Sequence, residues 1–166
     1  MSDFQDFPKM ARLSRSVIDL TNGGMALCSE EDFERLAQHA WFHVIDGNQV
    51  YAARGGLDGR LIRMHVEVFG GKGPDHANGD GLDNRRCNLR AATAAQNQMN
   101  RGKFASAYSV FKGVSWHKRD RRWVAKIKAN GRRINLGYFI SELAAAKAYN
   151  ESAIKNFGEF ARINQL

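Results

Sequence analysis

From Val110 onward, side chains alternate with period two through three consecutive runs, FKGVSWHK, RRWVAKIKAN and GRRINLGYF. Arg119-Asp120 separates the first two runs and Asn130-Gly131 the last two. An Asn-Gly pair between alternating runs is a strong hairpin signal, because both residues tolerate the positive φ of a tight turn. Three antiparallel strands are therefore predicted. Alternation also assigns faces. Val114, Trp116, Trp123, Ala125, Ile127, Ile134 and Leu136 fall on one side, and Ser115, His117, Arg122, Lys126, Lys128, Arg133 and Asn135 on the other. The following SELAAAKAYNESAIKNFG reads as an amphipathic helix, with Ser141 as N-cap and Gly158 as its stop. Leu143, Ala144, Ala148, Tyr149, Ala153 and Phe157 lie along one face, which is expected to cover the apolar side of the sheet. Trp116 and Trp123 read as core rather than as stacking groups, and the basic side is left bare.

Charge supports that assignment. The chain has 25 Lys/Arg against 17 Asp/Glu, a formal net charge of +8. Residues 1–100 hold 11 cations and 13 anions, residues 136–166 three of each, and residues 101–135 hold 11 cations and one anion. The whole excess thus sits in one stretch, the footprint of a polyanion-binding surface. Lys112, Lys126, Lys128, Arg132 and Arg133 are its expected sources of backbone affinity, with His117 a further phosphate contact. No run of about 18 apolar residues exists, so a membrane is not the expected partner. MSDFQDFPKM lacks the charged-then-apolar order of a secretory signal, and secretion is not expected. Cys28 and Cys87 are too few for a disulfide framework and have no CxxC spacing.

The first hundred residues have a different texture. SVIDL and GMALC read as strands around the turn Asn22-Gly23-Gly24. A helix is predicted from Ser29, with Phe33, Leu36, Ala37 and Ala40 on its apolar side. NQVYAAR and RLIRMHVEVF flank the turn-rich GGLDG, which suggests a hairpin whose second strand runs into a helix before Gly70-Gly71. Then comes PDHANGDGLDNRRCNLR, residues 74–90, rich in groups that are costly to bury. Thr93 and Gln96 have the spacing of a capping box, so a helix begins there and carries Asn97 in its second turn. RGKFASAYS reads as a linker.

A strand at Asp75-His76, a second at Leu89-Arg90-Ala91 and the helix from Thr93 form an expected β-β-helix arrangement. It would bring Asp75 and Asn97 together with His76 alongside. One charged and one neutral oxygen are ligand types that a hard divalent cation prefers, and two protein ligands leave room for a phosphate oxygen. An unperturbed imidazole titrates near neutrality and can take a proton from water. A base, a Lewis acid and a polyanion surface together spell phosphodiester hydrolysis.

His76, Asn88 and Asn97, with Asp75 just before His76, resemble the HNH nuclease motif in its His-Asn-Asn form. The frame MH…PDHANGDGLDNRRCNLRAAT…QN looks like the subgroup found in phage and intron-encoded homing endonucleases. The second half is similar to the DNA-binding domain of plant ethylene-response (Apetala-type) transcription factors. FKGVSWHK…RRWVAKIKANGRRINLGYF…AAAKAYNESAIKNFGEFARIN follows that pattern. The resemblance implies metal-dependent endonucleolytic cleavage of double-stranded DNA. Asp75 and Asn97 would bind Mg2+ or Mn2+, and His76 would be the general base. Asn88 would tie down the loop and orient His76 through a backbone carbonyl. Arg85 and Arg86 are candidate phosphate contacts. Ser115, Lys126 and Lys128 stand where the plant family has arginines and Asn135 where it has a tryptophan, so base preference does not carry over. His65 reads as structural.

The expected architecture is α+β: a ββα-metal nuclease unit followed by a three-stranded antiparallel sheet packed on one helix. The nuclease domain is expected over 1–103, with core motif 64–101 and an extension 1–63, and the DNA-binding domain over 107–166. DNA-binding residues are Lys112, Ser115, His117, Arg122, Lys126, Lys128, Arg132, Arg133 and Asn135. A cytoplasmic site of action in a bacterial or phage-infected cell follows, with a monomer favoured over an oligomer. The alternative is a catalytically inactive, sequence-specific DNA-binding regulator; an RNA-binding sheet is a third reading.

Overall fold

The computed structural model describes residues 16–71, 73–102 and 108–166. They form an α+β protein of small sheets, mostly antiparallel, and four α-helices. Two compact units divide between Arg90 and Ala91. The expected boundary at 103–107 lies outside the described residues.

In the N-terminal unit, β1 (Val17–Asp19) and β2 (Met25–Cys28) form the expected hairpin, turning through Gly23 and Gly24, both at positive φ. Helix α1 (Glu30–Leu36) follows. Ser29 occupies its N-cap position without capping it; the hydroxyl instead accepts from the backbone N–H of Arg86 at 2.9 Å. Ala37 and Ala40 lie beyond the helix and are exposed, so the buried anchors here are Leu36 and Trp41. The Trp41 indole N–H donates to the Leu36 carbonyl at 2.8 Å.

β3 (Phe42–Asp46), β4 (Gln49–Gly55) and β5 (Leu61–Arg63) make a second antiparallel sheet in that order. β5 runs directly into α2 (Met64–Phe69), which ends at Gly70 in the left-handed region. β6 (Pro74–His76) and β7 (Asp83–Asn84) come next. β7 adds in parallel to β2, while β8 (Leu89–Ala91) pairs with β6. Ile18, Leu20, Ala26, Cys28, Leu36, Trp41, Ala52, Met64, Val68 and Leu89 form one apolar core. The polar loop 74–90 is therefore pinned in its middle, where β7 pairs with β2, and at its exit, where Leu89 joins the core.

The C-terminal unit begins with α3 (Ala94–Asn100), which carries the predicted capping box: Thr93 Oγ1 accepts from Gln96 N and Gln96 Oε1 accepts from Thr93 N. β9 (Val114–His117), β10 (Arg122–Ala129) and β11 (Arg132–Phe139) form the predicted antiparallel sheet with β10 central. Asn130 and Gly131 both have positive φ, as the tight hairpin turn requires. Helix α4 (Glu142–Phe157) packs on the apolar face, its N-cap Ser141 accepting from Ala144 N at 3.1 Å. Its buried side is Ala145, Ala146, Tyr149, Ala153 and Phe157. Leu143, expected inside, is 43% exposed. The helix meets the sheet through the stripe of Ala145, Ala146, Tyr149 and Ala153, which leaves Leu143 outside. Met99 of α3 packs against Ile127, Tyr149 and Phe157, so α3 shares this unit's core.

A β-bulge separates Ala125 from Lys126, where Ala125 pairs with Gly137 and Lys126 with Asn135. Leu136 is the extra residue and turns into the core. Beyond it the parity reverses, so Phe139 packs inside and Tyr138 joins the outer face opposite Val124.

Candidate active site and basic sheet face

The loop 74–90 satisfies its own polar groups. Asn88 is its hub: the side-chain N–H2 donates to Asp83 O at 2.7 Å and to Asn78 Oδ1 at 3.0 Å, and its Oδ1 accepts from Asn78 N at 3.0 Å. Its backbone carbonyl accepts from Ala77 N at 2.8 Å, next to His76. Asn78 also donates to Asp83 Oδ2 at 2.9 Å, and Asp80 closes a local turn by accepting from Leu82 N at 3.0 Å. Here the expected loop-tying role of Asn88 has a physical basis in its four bonds.

His76 is 6% exposed, and its Nε2 lies 3.3 Å from Asn84 Oδ1. That ring contact is to Asn84, while the Asn88 carbonyl holds the neighbouring amide; the sequence reading named Asn88 alone. His76 packs edge-on against His65, ring centroids 4.7 Å apart, with Tyr51 at 5.4 Å from His65 and 6.0 Å from His76. Burial disfavours imidazolium, so the pKa of His76 is lowered despite Asn84, Asp75, Asp80 and Asp83 nearby. His65 is likewise 6% exposed, its Nδ1 has no hydrogen-bond partner among the described residues, and burial with the adjacent His76 takes its pKa down to about 3.

Asp75 is held by Arg90, whose Nε and Nη2 both donate to Asp75 Oδ2, at 3.0 and 2.8 Å. Arg85 and Arg86 are also engaged. Arg85 grips Asp83 through two 2.7 Å bonds, and Arg86 grips buried Asp32 at 2.7 and 2.9 Å and Glu31 at 2.6 Å. These guanidiniums hold both Asp83 and Asp32 below the usual carboxylate range. They are about half exposed, so what remains for phosphate is their outward edge.

Asn97 stands in the second turn of α3. Its Oδ1 is buried and has no hydrogen-bond partner among the described residues. An orphaned buried amide oxygen costs about 1–3 kcal/mol unless a partner satisfies it. Asp75 belongs to the N-terminal unit and Asn97 to the C-terminal one, and each offers a hard oxygen of the kind magnesium or manganese prefers. Among the described residues there is no cluster of three or more His, Cys, Asp or Glu that would make a self-contained metal centre.

The basic face of the C-terminal sheet follows the sequence reading at most positions. Register puts Ser115, His117, Arg122, Lys126, Lys128, Arg133 and Asn135 on one side, and all but half-buried His117 are exposed. Arg132 is exposed beside the turn. Among the described residues, the side chains of Arg122, Lys126, Lys128, Arg132 and Arg133 have no hydrogen-bond or ion-pair partner. Tyr138, unread in the sequence, lies edge-on to His117 with centroids 5.6 Å apart. Trp116 and Trp123 meet edge-to-face at 5.0 Å; both are half-buried, and Trp123 packs against this unit's core. Lys112 is placed differently from its neighbours. It is half-buried, and its ammonium donates to Met99 O at 2.7 Å.

No family model matches the chain, and no solved structure matches it. Among the described residues, no helix is long and apolar enough to cross a membrane.

Proposed function

We propose that the protein is an endonuclease that hydrolyses phosphodiester bonds in double-stranded DNA. The observation that carries this reading is a neutral, buried imidazole, His76, fixed next to a carboxylate in a loop that Asn88 ties from several sides. In the proposed mechanism, His76 takes the proton of an attacking water as general base, with Asn84 and His65 holding the ring. Asp75 and Asn97 are the proposed ligands of one Mg2+ or Mn2+. Such an ion, when bound, would supply Lewis acidity toward a phosphate oxygen. Arg122, Lys126, Lys128, Arg132 and Arg133 supply cationic contacts to the DNA backbone, while Ser115 and Asn135 offer hydrogen-bonding groups between them.

A DNA-binding regulator without cleavage is the second reading, and one observation favours it: Asp75 already has a partner in Arg90. One experiment separates the two. Plasmid is incubated with protein and magnesium or manganese, with and without chelator, beside His76→Ala. Nicked or linear product that needs both metal and His76, with DNA binding kept in the variant, supports the nuclease. Binding without any metal-dependent product supports the regulator, and cleavage undiminished in His76→Ala removes His76 as the base.

A further inference from the structure

Lys112 is the one predicted DNA-contacting cation whose charge is turned inward, and its partner is the last turn of α3. Helix α3 has seven residues, too few to hold its shape in isolation. A helix leaves its last carbonyls without internal partners, and a lysine ammonium is a favourable group to meet them. Met99 O is such a carbonyl, two residues beyond Asn97. Around the lysine stem, Phe111, Ile127, Tyr149 and Phe157 line a cavity of about 670 Å³. The Lys112 backbone is fixed as well: its N–H donates to Asn164 Oδ1 at 2.6 Å and its carbonyl accepts from Asn164 Nδ2 at 3.1 Å. Asn164 in turn exchanges two bonds with Asn150 of α4, at 2.7 and 2.8 Å. An unbroken chain of hydrogen bonds thus runs from α4 through Asn164 and Lys112 to the C-terminal end of α3.

We propose that Lys112 is a positioning residue for Asn97: by capping α3 it fixes the helix that presents the orphaned Asn97 amide oxygen to a divalent cation. The inference rests on the metal assignment given above. It also gives this lysine a task distinct from that of the outward-facing cations. Burial strips water from the ammonium and takes its pKa to about 8, in keeping with an internal role.

The test is Mn2+ binding without DNA, followed by the electron paramagnetic resonance signal of free Mn2+, on the full chain. Lys112→Met should weaken Mn2+ binding about tenfold, the lower end for loss of a group that orients a metal ligand. Lys112→Arg should restore most of it, and the salt slope of DNA binding should stay at its wild-type value in both. Amide exchange should rise in α3 while α4 stays protected. If Lys112→Met does not fold, Asn164→Ala, which frees the lysine backbone, should give the same weakening in smaller measure. Unchanged Mn2+ affinity in the folded Lys112 or Asn164 variant, beside a clear loss in Asn97→Ala, overturns the positioning role alone. Unchanged affinity in Asn97→Ala overturns the metal assignment and this inference together.

Discussion

Arg90 places two guanidinium nitrogens on the same oxygen of Asp75, at 2.8 and 3.0 Å, and both side chains are largely buried. Removing the arginine takes this counter-charge away from a shielded carboxylate. Arg90→Gln should therefore destabilise the N-terminal unit by about 2 kcal/mol, measured by urea unfolding. Asp75→Asn in the same assay leaves a neutral acceptor and should cost less than Asp75→Ala. Equal stability of Arg90→Gln and the parent would show that the pair adds nothing.

Acid should unfold the N-terminal unit partly through His65. The ring stays neutral in the fold down to about pH 3, whereas an imidazole in the unfolded chain takes a proton near 6.5. Between those values the unfolded state binds more protons. Stability therefore falls as pH drops below about 6.5, by at most about 1.4 kcal/mol per pH unit for this ring, and is insensitive to it above. His76, also lowered, adds in the same direction. His65→Phe, which keeps an aromatic edge against His76, should flatten the acid limb of a plot of unfolding midpoint against pH. The same acid slope in the variant would mean that His65 titrates at no cost.

The pH profile of cleavage should move too. An ordinary imidazole would give activity rising through roughly pH 6 to 7.5. Burial lowers the pKa of His76, so the basic form persists to lower pH and the rise should lie below that range. Initial cleavage rates at saturating metal, taken from pH 4.5 to 8, check it. A midpoint above 7 would contradict a buried, neutral base.

DNA affinity should depend on salt through the five outward cations. Arg122, Lys126, Lys128, Arg132 and Arg133, each neutralising one phosphate, give a log–log slope of about −4.5 at −0.9 per phosphate. Lys126→Gln should bring this to about −3.6. A slope near zero would eliminate the sheet as an electrostatic surface.

Gly81 touches the site indirectly. A Cβ there would sit 2.3 Å from the carbonyl oxygen of Val50 and 2.7 Å from the Tyr51 ring. Gly81→Ala must shift the loop or the strand, and overpacking of this kind should cost about 3 kcal/mol. Because Tyr51 packs on both His65 and His76, cleavage should fall alongside the melting temperature. A melting temperature like the parent's would show that the loop has slack.

Local rules were enough for much of this fold. The Asn130-Gly131 turn, the capping box of Thr93 and Gln96, and the passage of β5 into α2 each rest on neighbours in the chain, which is why they were legible. β3 was not, because none of its five residues is buried and so it carries no clean alternation. The reversal that puts Tyr138 outside and Phe139 inside was also unreadable, since a bulge is set by pairing across strands rather than by the run itself. In the site, residue types and spacing pointed to Asp75, His76, Asn88 and Asn97. The partners that shape them, Arg90, Asn84 and the Tyr51–His65 ring pair, come from strand pairing, loop closure and packing rather than from the run of the sequence itself. Lys112 looked like its neighbours in composition; only its burial sets it apart.

The Asn88 hub concentrates the stiffness of the segment in one amide. A loop held by many scattered contacts frays piecemeal. One gathered on a single side chain must let go all at once, so the backbone amides from Ala77 to Leu89 should open as one cooperative step with a shared free energy.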